Sequence, residues 1–238
     1  MCTSCKLSIL LLWVLTIHIP TFAQISEIHH LQGLVDSIYG QNDLLINGRI
    51  FIETHPQAKG HPFFPEESSS EGTVFIKGEK FGDIQVNYNA ELDQLVLDVE
   101  ESMPWIHYIV LNNRLVDSFL LGGHSFVNVQ ALSAEKDDKI YLEQLFSGHF
   151  RLFAKHQKSF KAEFNRWNPH GKYLAKPTKH LLLEDGFFHD VTGKKRLLRY
   201  FEKHRKELKK FLHQHRIKLK KANPEQLKQI AAFCNDLS

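Results

Sequence analysis

The chain is poor in cysteine. It has three in 238 residues, and two of them, Cys2 and Cys5, fall in the first five positions. Cys234 alone remains for the body of the chain, and a single cysteine cannot close an internal disulfide, which excludes a disulfide-stapled scaffold. Long apolar runs are also missing. The longest uncharged, mostly apolar stretch, Leu7 to Ile17, holds eleven residues before His18 and Pro20 interrupt it. A membrane-spanning helix takes roughly 20, so no transmembrane span is expected. Several chemical signatures are absent as well. There is no H-E-x-x-H, no C-x-x-C pair beyond the leader, no phosphate-cradling glycine loop and no G-x-S-x-G elbow. Metalloprotease, nucleotide-binding and hydrolase-elbow signatures are thereby excluded, and neither a cofactor nor a metal is expected.

What the first residues do carry is an address. Lys6 precedes the apolar run, Pro20 ends it, and Thr21-Phe22-Ala23 places small residues before a cut after Ala23. That order of charge, apolar core and small-residue site predicts a secretory signal peptide over residues 1 to 23. Cys2 and Cys5 lie ahead of the apolar core, where they cannot serve as a lipoprotein cysteine. The expected mature chain, from Gln24 to Ser238, is long enough to bury a core without staples. Export without disulfides points to a periplasmic or outer-envelope protein of a Gram-negative bacterium.

Charge divides the chain. Residues 24 to 150 hold 7 Lys/Arg against 19 Asp/Glu, and residues 151 to 238 hold 22 against 8. The acidic part reads as strands, at residues 46–54, 72–77, 84–89, 95–100, 105–111, 115–121 and 126–132. Apolar and polar residues alternate in several of these, and Gly78-Glu79-Lys80, Asn112-Asn113 and Gly122-Gly123 supply turns. Residues 142 to 153 fit either a helix or two strands turning at Ser147-Gly148. Gly148 and the aromatic content favour the hairpin. Two more strands are expected around Tyr173 and His180–Leu183. Thr192 is expected to cap a helix carrying Leu197, Phe201, Leu208, Phe211 and Leu212. Asn223-Pro224-Glu225 starts another, with Leu227, Ile230, Ala231, Cys234 and Leu237 on its buried face. The fold class is therefore α+β. An antiparallel β meander over residues 24–191, as a sheet, roll or partly closed barrel, is followed by a basic helical segment over residues 192–238.

Several strings, INGRIFIE, GHPFF, GTVFIKGEKFGDIQVNYN, LFSGHFRLFAKH and FCNDL, resemble those of uncharacterised exported meander proteins of Gram-negative bacteria. The resemblance implies a location and a style of fold. It implies no activity and no functional residues.

Candidate sites are few. Lys194 to Lys221 contains 13 Lys/Arg against Glu202 and Glu207. Lys195, Arg199, Lys206, Lys209 and Lys210 are the residues chosen for contact with anionic lipid, lipopolysaccharide or an acidic envelope protein. The alternative is a solvated helix face neutralised by the acidic half. Nucleic acid is not expected as a partner of an exported chain. Phe63 and Phe64, adjacent rings between prolines, form the second candidate, either as an exposed contact or as a plug at the end of the β layer. His55 and His61 share a loop within reach of one metal ion, but no wider ligand pattern surrounds them. The carboxylates Glu91, Asp93, Asp98, Glu100 and Glu101 offer pairs for a hydrolase, yet alternation sends Asp98 and Glu100 to the polar face. The expected function is a non-catalytic binding or structural module of the envelope. The alternative is a hydrolase using acidic and histidine side chains.

Overall fold

A computed structural model describes residues 43–65, 70–99, 108–130, 132 and 140–237. The expected leader, residues 105–107 of one expected strand, and Glu100 and Glu101 lie outside these residues. A short helix, α1 (Asp43–Ile46), comes first. The strands are β1 (Gly48–Ile50), β2 (Phe63–Phe64), β3 (Ser70–Ile76), β4 (Glu79–Asn89), β5 (Gln94–Asp98), β6 (Tyr108–Leu111), β7 (Val116–Leu121), β8 (His124–Asn128), β9 (Tyr141–Ser147), β10 (Arg151–Lys155), β11 (Lys158–Lys161), β12 (Lys172–Ala175), β13 (Lys179–Glu184) and β14 (Phe187–Asp190). Helices α2 (Gly193–Tyr200), α3 (Arg205–Gln214) and α4 (Pro224–Asn235) follow, with a 3₁₀ turn over Leu219–Lys221 before α4.

Twelve of the strands form one antiparallel sheet in the order β1-β6-β5-β4-β3-β7-β8-β9-β10-β13-β14, with β2 added on β4. Strands β11 and β12 form a separate two-stranded sheet. Short connections make this order possible. Lys77-Gly78, Gly122-Gly123 and Asp185-Gly186 each hold two successive positive φ angles, the geometry of two-residue hairpin turns that matches strand twist. The turn expected at 78–80 thus sits one residue earlier. The first expected strand is shorter than its β-branched sequence suggests, since only Gly48–Ile50 pairs, against β6. The ambiguous segment is a hairpin. Strands β9 and β10 pair antiparallel, with a register shift at Leu152/Phe153. Its turn is tight because Gly148 lies against the side chains of Asn235 and Phe146.

Alternation in the strands builds the core. Val74, Ile76, Val86, Tyr88, Leu95, Leu97, Phe119, Phe126 and Tyr141 bury in one cluster across the first half of the sheet. Asp93 ties that cluster to β9: its carboxylate accepts from Tyr88 Oη at 2.8 Å, Ile140 N at 2.9 Å and Tyr141 N at 3.3 Å. Asp93 is therefore a structural acceptor rather than a surface acid. In the second half of the sheet, Leu145, Phe150, Leu152 and Leu182 pack against Leu197, Leu198, Leu208, Leu212, Leu227, Ile230 and Cys234. The helical segment thus shares a core with β9, β10 and β13. On the opposite face Leu142, Phe153, Leu181 and Leu183 form a smaller cluster.

Two expectations at the helices are corrected. The helix foreseen from Thr192 through Leu212 is broken at Phe201 (φ −92°, ψ 49°). No glycine or proline marks the break; the Phe201 ring instead buries 5.7 Å from Phe150. Thr192 occupies the N-cap position without capping. Its hydroxyl accepts from His180 N at 2.9 Å, which lashes the chain to β13. Helix α4 starts as its sequence dictates. Asn223 Oδ1 accepts from Gln226 N at 2.8 Å, and Gln226 Oε1 accepts from Asn223 N at 3.2 Å, with Pro224 at the first turn. This capping box satisfies two otherwise orphaned amides.

Candidate functional site

Sheet register assembles a group that neither sequence position nor motif announces. Phe126 on β8 pairs with Glu143 on β9, and Glu143 pairs with Ala154 on β10. Ala154 in turn pairs with His180 on β13. Paired residues share a face, and so do residues two apart on a strand. His124, two before Phe126, and His156, two beyond Ala154, therefore flank Glu143 on the diagonal, within reach of long side chains. Glu143 is buried. Its Oε1 lies 2.7 Å from His124 Nδ1, and its Oε2 lies 2.6 Å from His156 Nε2.

Each imidazole presents an N–H to the carboxylate, which fixes its tautomer. Burial alone would raise the Glu143 carboxyl, but the hydrogen bonds from His156 and His124 outweigh it and hold the group below its ordinary value. His180 is pushed below its ordinary value, chiefly by burial and then by His156, against the opposing pull of Asp190 and Glu143. Beside this group a cleft of about 670 Å³ opens between the sheet and the helical segment. Glu143, His156, His180, Thr178, Thr192 and Lys220 supply its polar wall, and Leu145, Leu219 and Leu227 its apolar one. The volume falls in the range of small-molecule sites, about 300–1,000 Å³.

Chemically, the arrangement orients two imidazoles. His156 meets the carboxylate through Nε2 and lines the cleft. Among the described residues, the hydrogen-bond partner given for both His124 and His156 is Glu143. Cys234 is buried, and burial pushes its thiol up to about 12. No group of three His, Cys, Asp or Glu side chains fit to hold a metal occurs among the described residues. His55 stacks on Phe160 at 3.6 Å, while His61 Nδ1 accepts from Phe63 N at 3.2 Å. Glu91 accepts from Phe160 N.

Phe63 and Phe64 are both half-buried on β2, paired with Asn89 and Tyr88 of β4. Period two sends them opposite ways. Phe64 stacks on His156 at 4.1 Å and meets His124 edge-on at 5.1 Å, so it walls the histidine group. Phe63 faces Phe51 and His61. Lys195 and Arg199 are exposed on α2, and Lys206, Lys209 and Lys210 are exposed on α3. None of these five lines the cleft.

The acid at position 143 was the available signal. Tyr141, Glu143 and Leu145 alternate onto one buried face, and a carboxylate there must find partners. The chain matches no family model, no curated protein and no solved structure.

Proposed function

We propose that the protein is exported to the cell envelope and acts there as a non-catalytic binding module, docking on anionic lipid or lipopolysaccharide through the cations of α2 and α3. One observation carries this reading. Lys206, Lys209 and Lys210 are exposed at i, i+3 and i+4 of α3, and none has an ion-pair partner among the described residues. Helical neighbours at those spacings lie on one face, and like charges there repel by about 0.2–0.5 kcal/mol per pair. The reading against which this stands is a solvated face whose charge the acidic half of the chain offsets. On α2, Lys195 and Arg199 repeat the pattern at i, i+4, also without an ion-pair partner. A bound anionic surface relieves that repulsion.

The test is co-sedimentation of the full chain with vesicles of phosphatidylcholine, with and without phosphatidylglycerol, and with lipopolysaccharide. Binding should require the anionic component and fall steeply towards about 1 M salt, where the screening length is about 3 Å. A cation near an anionic leaflet is worth about 1 kcal/mol. The triple variant K206E/K209E/K210E should therefore bind at least on the order of 100-fold more weakly. Equal binding of the variant, or binding indifferent to lipid charge, overturns the proposal.

A further inference from the structure

The two-stranded sheet β11–β12 carries the most exposed aromatic residues described. Between its strands, Trp167 is 82% exposed and Phe164 is 67% exposed. Isolated exposed apolar side chains are ordinary, but these two sit three residues apart on a turn built to hold its shape. Asn165 Oδ1 accepts from Trp167 N at 2.9 Å and from Asn168 N at 3.0 Å, and Asn165 and Asn168 exchange backbone hydrogen bonds as well. The base of the hairpin is fixed too. Lys59 N donates to Gly171 O and Tyr173 N donates to Lys59 O, while Phe160 is clamped between His55 and Tyr173. The chain thus spends hydrogen bonds on presenting the two rings rather than folding them away. Phe164 continues into a shallow groove of about 300 Å³ walled by Phe160, Pro56 and Pro169. Leu174 on β12 is exposed as well.

Arg166 lies between the rings in sequence and is exposed with no ion-pair partner among the described residues, and Lys176 and Lys179, beyond the base of the hairpin, are exposed without one as well. Glu163, the one acid from Lys158 to Lys179, is held by Lys161 and Lys172 at 3.1 Å each.

We infer that the β11–β12 hairpin is a membrane-interface anchor, with Trp167 and Phe164 inserted at the headgroup level of an anionic bilayer and Arg166 and the neighbouring lysines on its phosphates. Tryptophan with basic neighbours suits that boundary, where the ring is half in hydrocarbon and the cation is wet. A polysaccharide fits less well. Sugar hydroxyls donate as well as accept, and the acceptors that would take their protons here are engaged: the Glu163 carboxylate is bound by lysines, Asn165 Oδ1 is taken by its own turn, and Asn168 Oδ1 is buried. The inference rests on the proposed docking reading for the bilayer itself, and adds an apolar contact independent of the α3 cations.

Tryptophan fluorescence with vesicles containing phosphatidylglycerol and acyl-brominated lipid tests it, taking the difference between the full chain and W167F as the Trp167 signal. The expected result is quenching and a blue shift of that difference signal, with the residual binding at high salt reduced on the order of 10- to 100-fold in F164A/W167A. Both side chains are exposed, so the unfolding midpoint should not change. Vesicle capture without quenching of Trp167 overturns the anchor and leaves docking by α3 standing; absence of any capture overturns docking and anchor together. A Trp167 shift produced by neutral polysaccharide but not by vesicles assigns the tip to glycan and also overturns the anchor.

Discussion

Glu143→Gln isolates what the carboxylate between the two histidines contributes. The native group takes two hydrogen bonds, of 2.7 and 2.6 Å, in a buried position. A hydrogen bond to a charged group is worth about 1.5–3 kcal/mol. Glutamine keeps one carbonyl acceptor. Its amide then confronts the second imidazole, which must switch tautomer to accept. One charge-assisted bond becomes neutral and the other is reversed. The His124 side chain is 30% exposed and that of His156 16%, so water compensates part of the loss. The variant should be less stable by about 2 kcal/mol near neutral pH. The pH dependence sharpens the test. The Glu143 carboxyl sits below its ordinary value of 4.5 in the folded chain. Its contribution is fully present above that value and is lost as pH falls through the folded one. The gap between the wild type and E143Q should therefore close on acidification. His180 is also lowered in the folded chain; the unfolded state binds its proton first, so both proteins lose stability as pH falls below the ordinary value of 6.5, E143Q slightly more because the upward pull of Glu143 on His180 is gone, and the closing of the gap is therefore read at and below the ordinary carboxyl value of 4.5. Urea unfolding followed by circular dichroism, at about pH 7.5 and in steps to about pH 3.5, measures the gap. Equal stability at neutral pH, or a gap that stays constant through acidification, refutes the reasoning.

The other expectations concern the seam between sheet and helices and the exposed surfaces. A Cβ at Gly148 would lie well inside contact of Asn235 Oδ1 and 2.8 Å from Phe146 Cε1. Because Asn235 also accepts from His149 N at 2.7 Å, G148A should destabilise by about 1–3 kcal/mol, read by urea unfolding; an unchanged midpoint contradicts the packing. Cys234, the only thiol outside the first five residues, is buried with its thiol pushed up to about 12, so iodoacetamide at pH about 8 should modify it only after denaturation, as mass spectrometry would show. Charge reversal on α3 and the brominated-lipid experiment on Trp167 separate electrostatic docking from insertion, because salt weakens the first and spares the second.

The amino-acid sequence by itself determined the local elements. Two-residue turns at Gly122-Gly123 and Asp185-Gly186, alternation from Ile84 to Val99, and the Asn223-Pro224 start of α4 depend on φ preferences, period and capping, which act over a few residues. The β9–β10 hairpin was legible for the same reason, since Gly148 disfavours a helix there. The tertiary structure decided what depends on partners distant in sequence. Lys158–Lys161 and Phe187–Asp190 became strands because β12 and β13 offered edges to them. Phe201 broke a helix that its sequence would have continued, because Phe150 gave its ring a place in the core. Glu143 met His124 and His156 across 19 and 13 residues of chain because strand order and register placed three strands side by side. A buried carboxylate requires compensation wherever it sits, but which side chains supply it is fixed only when the sheet closes around it.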